Sequence, residues 1–154
     1  MRLLMMTAAL LLAPLPAPTV AGAEVAAGGI TVTHPWARAT PGGATTGVAY
    51  LEIETAACVS DQLVAIETPA AGRAELHTHV MEGDVMKMRQ LAGIDLAPGA
   101  KVTLGPHGDH IMLLDLKGPL KQGDHLELRL VFKSAGSIAV DVPVAGIGAQ
   151  GPAD

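Results

Sequence analysis

The segment His125–Phe132 most tightly constrains the fold. Leu126, Leu128, Leu130 and Phe132 alternate with His125, Glu127 and Arg129. A period of two puts the apolar set on one face of an extended strand and the polar set on the other. No comparable helix-period run appears after residue 23. The rest of the chain is cut into short β-rich stretches by Gly and Pro. We read strands at Ile30–His34, Gly47–Glu54, Gln62–Glu67, Ala74–Val80, Met86–Gln90, Lys101–Leu104, His110–Leu116, His125–Phe132 and Ile138–Val144. Pro69–Gly72, Glu82-Gly83-Asp84, Pro98-Gly99, Gly105-Pro106 and Gly118-Pro119 punctuate them. Many short strands with such turns predict an all-β domain, an antiparallel sandwich or barrel. Aromatic residues are sparse (Trp36, Tyr50 and Phe132), so Val, Leu, Ile and Ala must fill its core.

The chain has 154 residues, enough for one domain. Its first 23 residues read as a secretory signal peptide. Arg2 supplies the positive end, Leu3–Val20 is mostly apolar, and Ala21-Gly22-Ala23 supplies small residues at a cleavage site. Pro14, Pro16 and Pro18 interrupt the apolar run, which leaves it short for a membrane anchor. We therefore expect residues 1–23 as signal peptide, 24–144 as the β-domain, 145–154 as a Gly-rich flexible tail, and export to the periplasm. The formal net charge is −5, and loss of Arg2 makes it more negative. That argues against nucleic acid and anionic lipid as partners. After the leader no stretch is long and apolar enough to span a membrane.

The chemistry concentrates in one window. Met1, Met5 and Met6 belong to the leader. The remaining methionines, Met81, Met86, Met88 and Met112, share residues 77–112 with His77, His79, His107 and His110. On strands, His77 and His79 point together with Met81 continuing their row, and so do Met86 and Met88, and His110 and Met112. A hairpin over residues 74–90 would bring a His row beside a Met row, with opposed residues about 5 Å apart. Methionine is a common core filler and a lone histidine is usually a surface residue. The concentration of both types is what points to a metal.

Ligand type narrows the ion. Zinc prefers Cys, His and carboxylate, and calcium and magnesium prefer oxygen. A blue-copper site needs a thiolate, but the single cysteine, Cys58, lies outside the cluster. We expect Cys58 as a semi-buried passenger in a turn. Imidazole with thioether suits copper(I). Such a site should fail only as its histidines protonate, from about pH 6.5 downward for unperturbed groups. No nucleophile–base pair, paired carboxylates or phosphate loop argues for catalysis, so we expect no enzyme.

The spacing resembles a known family. His77, ten residues, Met88, twenty-one residues, His110-Ile111-Met112 is the ligand pattern of periplasmic PCu(A)C-type copper chaperones. Only this register fits, because starting from His79 puts Gln90 at the Met position. His34-Pro35-Trp36-Ala37-Arg38, Ala49-Tyr50-Leu51, Gly108–Leu113 and Leu120–Asp124 are similar to other segments of that family. The resemblance implies a cupredoxin-like Greek-key β-sandwich or barrel. It implies Cu(I) as cargo, held by His77, Met88, His110 and Met112. It also implies delivery to the copper centre of a respiratory oxidase, with an oxidase subunit or a Sco-type protein as acceptor. Storage or resistance by sequestration is the alternative function. Residues 145–154 do not resemble the His/Met-rich C-terminal extension of some members, so we do not expect the second copper site that it provides. His79, Met81 and Met86 fall outside the pattern as outer donors, a relay or passive rim residues. His34, His107, His125, Trp36 and Arg38 read as structural or solvent-facing.

Overall fold

The computed structural model describes residues 24–152, which contain strands and no helix. The signal-peptide expectation lies outside the described residues. Eleven strands are present: β1 (Val25–Ala27), β2 (Ile30–Arg38), β3 (Thr46–Thr55), β4 (Asp61–Glu67), β5 (Ala71–Glu82), β6 (Val85–Leu91), β7 (Ile94–Leu96), β8 (Lys101–Leu104), β9 (His110–Leu116), β10 (His125–Phe132) and β11 (Gly136–Ala145). Three of the nine expected strands have the observed bounds at both ends: Lys101–Leu104, His110–Leu116 and His125–Phe132. Those segments combine alternation with turn residues at both ends. The short strands β1 and β7 were not expected, since three residues are too few for a pattern to show.

Strands β2-β11-β10-β4-β5-β9-β3 form a ring that closes where β3 pairs back onto β2. The connections β3–β4 and β9–β10 cross the ring, as in a Greek key. The cupredoxin-like barrel is therefore the observed fold. One pairing departs from the antiparallel expectation. The first and last long strands meet in parallel, Val144 with Ala37 and Ala145 with Arg38. This short parallel seam joins β11 to β2 within the ring.

Leu126, Leu128, Leu130 and Phe132 are all buried in the barrel, with Leu128 and Leu130 completely so. They pack with Ile30, Val32, Ile53, Leu63, Ile111, Leu113, Val140 and Val142. Closing the ring removes most strand edges, which are otherwise sites of unwanted pairing. β2 is longer than the expected Ile30–His34 because it absorbs a bulge. His34 has φ 50° and the register with β3 shifts between Thr33 and Trp36. Pro35 falls at this break, where its missing N–H costs no ladder bond. The shift turns Trp36 onto Tyr50, ring centroids 4.5 Å apart. The turn expected at Pro69–Gly72 ends at Ala70, and Gly72 lies within β5. A Cβ there would come within 3.0 Å of Asp115 Cβ, so close strand approach accounts for this glycine.

The C-terminal segment is held against the barrel through residue 149. Ala145 is buried in β11. Arg38 donates two hydrogen bonds, at 3.1 and 2.8 Å, to the Ala149 carbonyl, and Ala149 packs on the Trp36–Tyr50 cluster. Arg38 and Trp36 thus serve the fold. Cys58 is exposed in the β3–β4 loop rather than semi-buried.

Candidate metal centre

Three strands build the candidate centre. β5 lies between β6 and β9 and pairs antiparallel with both. The β5–β6 turn is a two-residue loop of Gly83 and Asp84, with Gly83 at φ 64°. That is the positive φ required at the first position of a type II′ hairpin loop, which favours glycine. Leu76 and Ile111 point into the core, so His77 and His110, one residue on and one back, point outward. These two are directly opposed across β5 and β9. The His row and the Met row do meet on one hairpin face. They meet on the outer surface of the sheet, where β9 begins at His110.

The register places each expected ligand on that outer face. Gln90, His77 and His110 form one row across the three strands. Met88 lies in the next row, opposite His79, and is therefore a diagonal neighbour of His77. Met112 lies in the row on the other side, opposite Glu75. Diagonal neighbours are about 7–8 Å apart at Cα, within reach of a long side chain. Met88 is 53% exposed, whereas Met112 is half-buried. His79 is closer to the centre than its absence from the spacing pattern suggests. Its ring centroid is 5.0 Å from that of His110, against 6.1 Å for His77 to His110.

The hydrogen bonds of the two central histidines determine what they can bind. His77 Nε2 lies 3.0 Å from Glu75 Oε2. A carboxylate only accepts, so this nitrogen carries the proton and donates it. His110 Nδ1 likewise donates to the Gly108 carbonyl at 3.1 Å. The remaining nitrogens, His77 Nδ1 and His110 Nε2, are buried and have no partner. A buried polar atom without a partner is costly and calls for an explanation. Two bare imidazole lone pairs on adjacent strands, each with its opposite nitrogen fixed by an outer acceptor, are the arrangement a metal requires. Burial lowers the pKa of His110. The neighbouring His79 and His77 push the same way, against the Gly108 bond and Asp109. The ring is thus kept neutral, the form that ligates.

Glu75 was not among the expected functional residues. Its carboxylate accepts from Arg73 at 3.0 Å as well as from His77. The available signal was Glu75-x-His77, two residues on one strand face. Among the described residues no group of three His, Cys, Asp or Glu side chains is arranged to hold a metal ion. The donor set that remains is two imidazoles with neighbouring thioethers. Two other histidines are occupied elsewhere. His34 bonds Glu52 at 3.2 Å, and His125 bonds Asp141 at 2.7 Å.

Comparison with known proteins bears on the fold and the family. Residues 30–144 match the family described as "Putative lipoprotein LpqE-like". "Putative lipoprotein Lxx21020" of Leifsonia xyli subsp. xyli is 29% identical over 119 residues, covering 77% of this chain and 70% of that protein. The copper-bound PCuAC domain from PmoF2 superposes with a TM-score of 0.70 at 28% identity, over 80% of this chain and 98% of that domain. The apo PCuAC domain from PmoF1 gives 0.69 at 32% identity, over 80% and 99%. CuI-DR1885 from Deinococcus radiodurans gives 0.54 at 29% identity, over 74% and 78%.

Proposed function

The chain belongs to the LpqE-like family, which is of PCuAC type, and on that footing we propose that it is an exported copper(I) carrier. Its ligands are His77, Met88, His110 and Met112. The observation that carries this reading is the pair of buried, partnerless nitrogens, His77 Nδ1 and His110 Nε2, on a face that also bears thioethers. The similar domains that hold copper support the choice of metal.

The chemistry follows from the donors. Cu(I) is a d10 ion with little geometric demand, and it accepts imidazole and thioether together. Two neutral rings and two neutral thioethers add no charge, so binding moves no proton while the rings stay neutral. Glu75 and the Gly108 carbonyl hold the rings in the ligating tautomer before the ion arrives. Met88 is exposed, which gives an incoming donor a side from which to attack. Copper then leaves by ligand exchange, without any change of oxidation state. This suits a protein that must hand its cargo on, and the acceptor we propose is the copper centre of a respiratory oxidase or a Sco-type protein serving it. Export is supported by the lipoprotein description of the family and relative.

Competition against a Cu(I) chelator tests the site. The wild type should bind one equivalent tightly, and the Met88→Ala/His110→Ala double variant should lose it. A double variant with wild-type affinity and stoichiometry would overturn the reading. Delivery is tested separately, by oxidase assembly in a deletion strain at low copper. Normal assembly there, with poor growth at high copper, would mean sequestration instead.

A further inference from the structure

The outer half of the β5–β6 hairpin has two chemically distinct faces. On one face Met81 opposes Met86, and one step inward His79 opposes Met88. On the other face Glu82 accepts from Lys87 at 2.6 Å and from Arg89 at 2.8 Å. Alternation along the two strands separates soft donors from charged groups. The soft face covers no core. Met81, Met86 and Met88 are 59%, 63% and 53% exposed, so packing does not explain them. Three thioethers on so short an exposed hairpin gain little from burial, which is methionine's ordinary role in a core.

From this juxtaposition we propose a second, outer subsite for a soft monovalent cation, formed by Met81, Met86, His79 and Met88, that loads and unloads the inner centre. It rests on the reading of the inner centre as a copper(I) site and adds a route to it. The four residues form two directly opposed pairs, with Cβ atoms about 5 Å apart in each, so a single ion can meet several donors. Thioether with one imidazole selects Cu(I) or Ag(I) over harder ions. Met88 and His79 belong to both ends of the route, for His79 lies 5.0 Å from His110, ring to ring. Transfer is a sequence of ligand exchanges. Each new sulfur or nitrogen bond to the ion replaces one behind it, the ion stays monovalent, and the thioethers carry no proton to move. The outer donors, exposed and rich in sulfur, hold the ion less firmly than the buried rings, so the ion runs inward when the inner centre is empty.

Silver(I), which has no accessible redox step here, is the probe. The full exported chain carrying ¹³C-methyl methionine is titrated with Ag(I) and followed by NMR, the methyls assigned through single Met→Leu variants. The first equivalent should shift the Met112 methyl. Ag(I) beyond one equivalent should shift Met81 and Met86. A Met81→Leu/Met86→Leu variant should lose the second equivalent, keep the first, and take up Cu(I) from a chelator more slowly. Its unfolding midpoint checks that the hairpin is intact. Met81 and Met86 methyls that stay unmoved in excess Ag(I), or a double variant with the same second equivalent and loading rate, would overturn the outer subsite. Failure of the inner reading is distinct, since Met112 would then stay unmoved at the first equivalent.

Discussion

The β10–β11 and β5–β6 hairpins have similar pairing and opposite circumstances. In β10 every second residue is buried in the barrel, and β11 alternates in the same way over most of its length. β10 also pairs with β4, and β11 with β2. The turn at Lys133–Ala135 is held from outside, because the Asp61 carboxylate accepts from the Ser134 and Ala135 amides at 2.8 and 2.7 Å. β6 pairs with β5 alone, and all its residues but Leu91 are exposed. Its tip is held by a glycine turn and surface ion pairs. A two-stranded ribbon without a buried face is marginal in water. Core burial therefore sits in one hairpin and exposed soft donors in the other. Regions that bind and release are drawn from the less stable parts of a fold.

The strongest way to break this contrast is to cut into both hairpins. Leu128→Ala removes a fully buried side chain and should cost about 3–4 kcal/mol. Met86→Ala at the exposed tip should stay within about 0.5 kcal/mol. Urea unfolding measures both, and equal costs would end the comparison. Next in size is the hold on the inner centre. Glu75→Ala should weaken Cu(I) binding by about 10–100-fold in chelator competition while the fold persists, because only the His77 tautomer and orientation are lost.

Asp61 sharpens the other side of the contrast. Burial raises its carboxyl group, but the backbone amides of Gln62, Ser134, Ala135 and Lys133 outweigh this and hold it below the ordinary carboxylate value. A carboxyl lowered in the folded state stabilises fully above its unfolded value. That contribution is lost as the pH falls through the folded value. Asp61→Asn should therefore cost about 1–2 kcal/mol at neutral pH and flatten the acid limb below about pH 4 in unfolding followed against pH. The smallest effect is expected at Glu82. Its bonds to Lys87 and Arg89 are exposed, so Glu82→Ala should change stability by less than about 0.5 kcal/mol, while hydrogen exchange of the β6 amides quickens.

Legibility in the sequence followed the same division. Strands that alternate against a core announced themselves, and β8, β9 and β10 run as expected. The β2 bulge did not, because a proline inside a run reads as a boundary when the bulge that accommodates it depends on Trp36 finding Tyr50. Ala149 was expected in a flexible tail, since a lone carbonyl meeting Arg38 leaves no trace in composition. Of the centre, His77 with His79 and His110 with Met112 were expected to share strand faces, and the hairpin that carries Met88 was expected with its turn. Glu75 was missed, and His79 was set further out than its ring lies.

What the sequence determined by itself was local: which residues share a face, where strands stop, and which ion two imidazoles and two thioethers prefer. Side-chain parity and donor softness are properties of neighbouring residues, so they need no fold to be read. The tertiary structure alone decided that β9 lies beside β5, which sets His110 opposite His77 across 32 intervening residues. It alone left one nitrogen on each ring buried and bare. Burial and lone-pair direction depend on what every other strand covers, and closing the barrel is what fixed them.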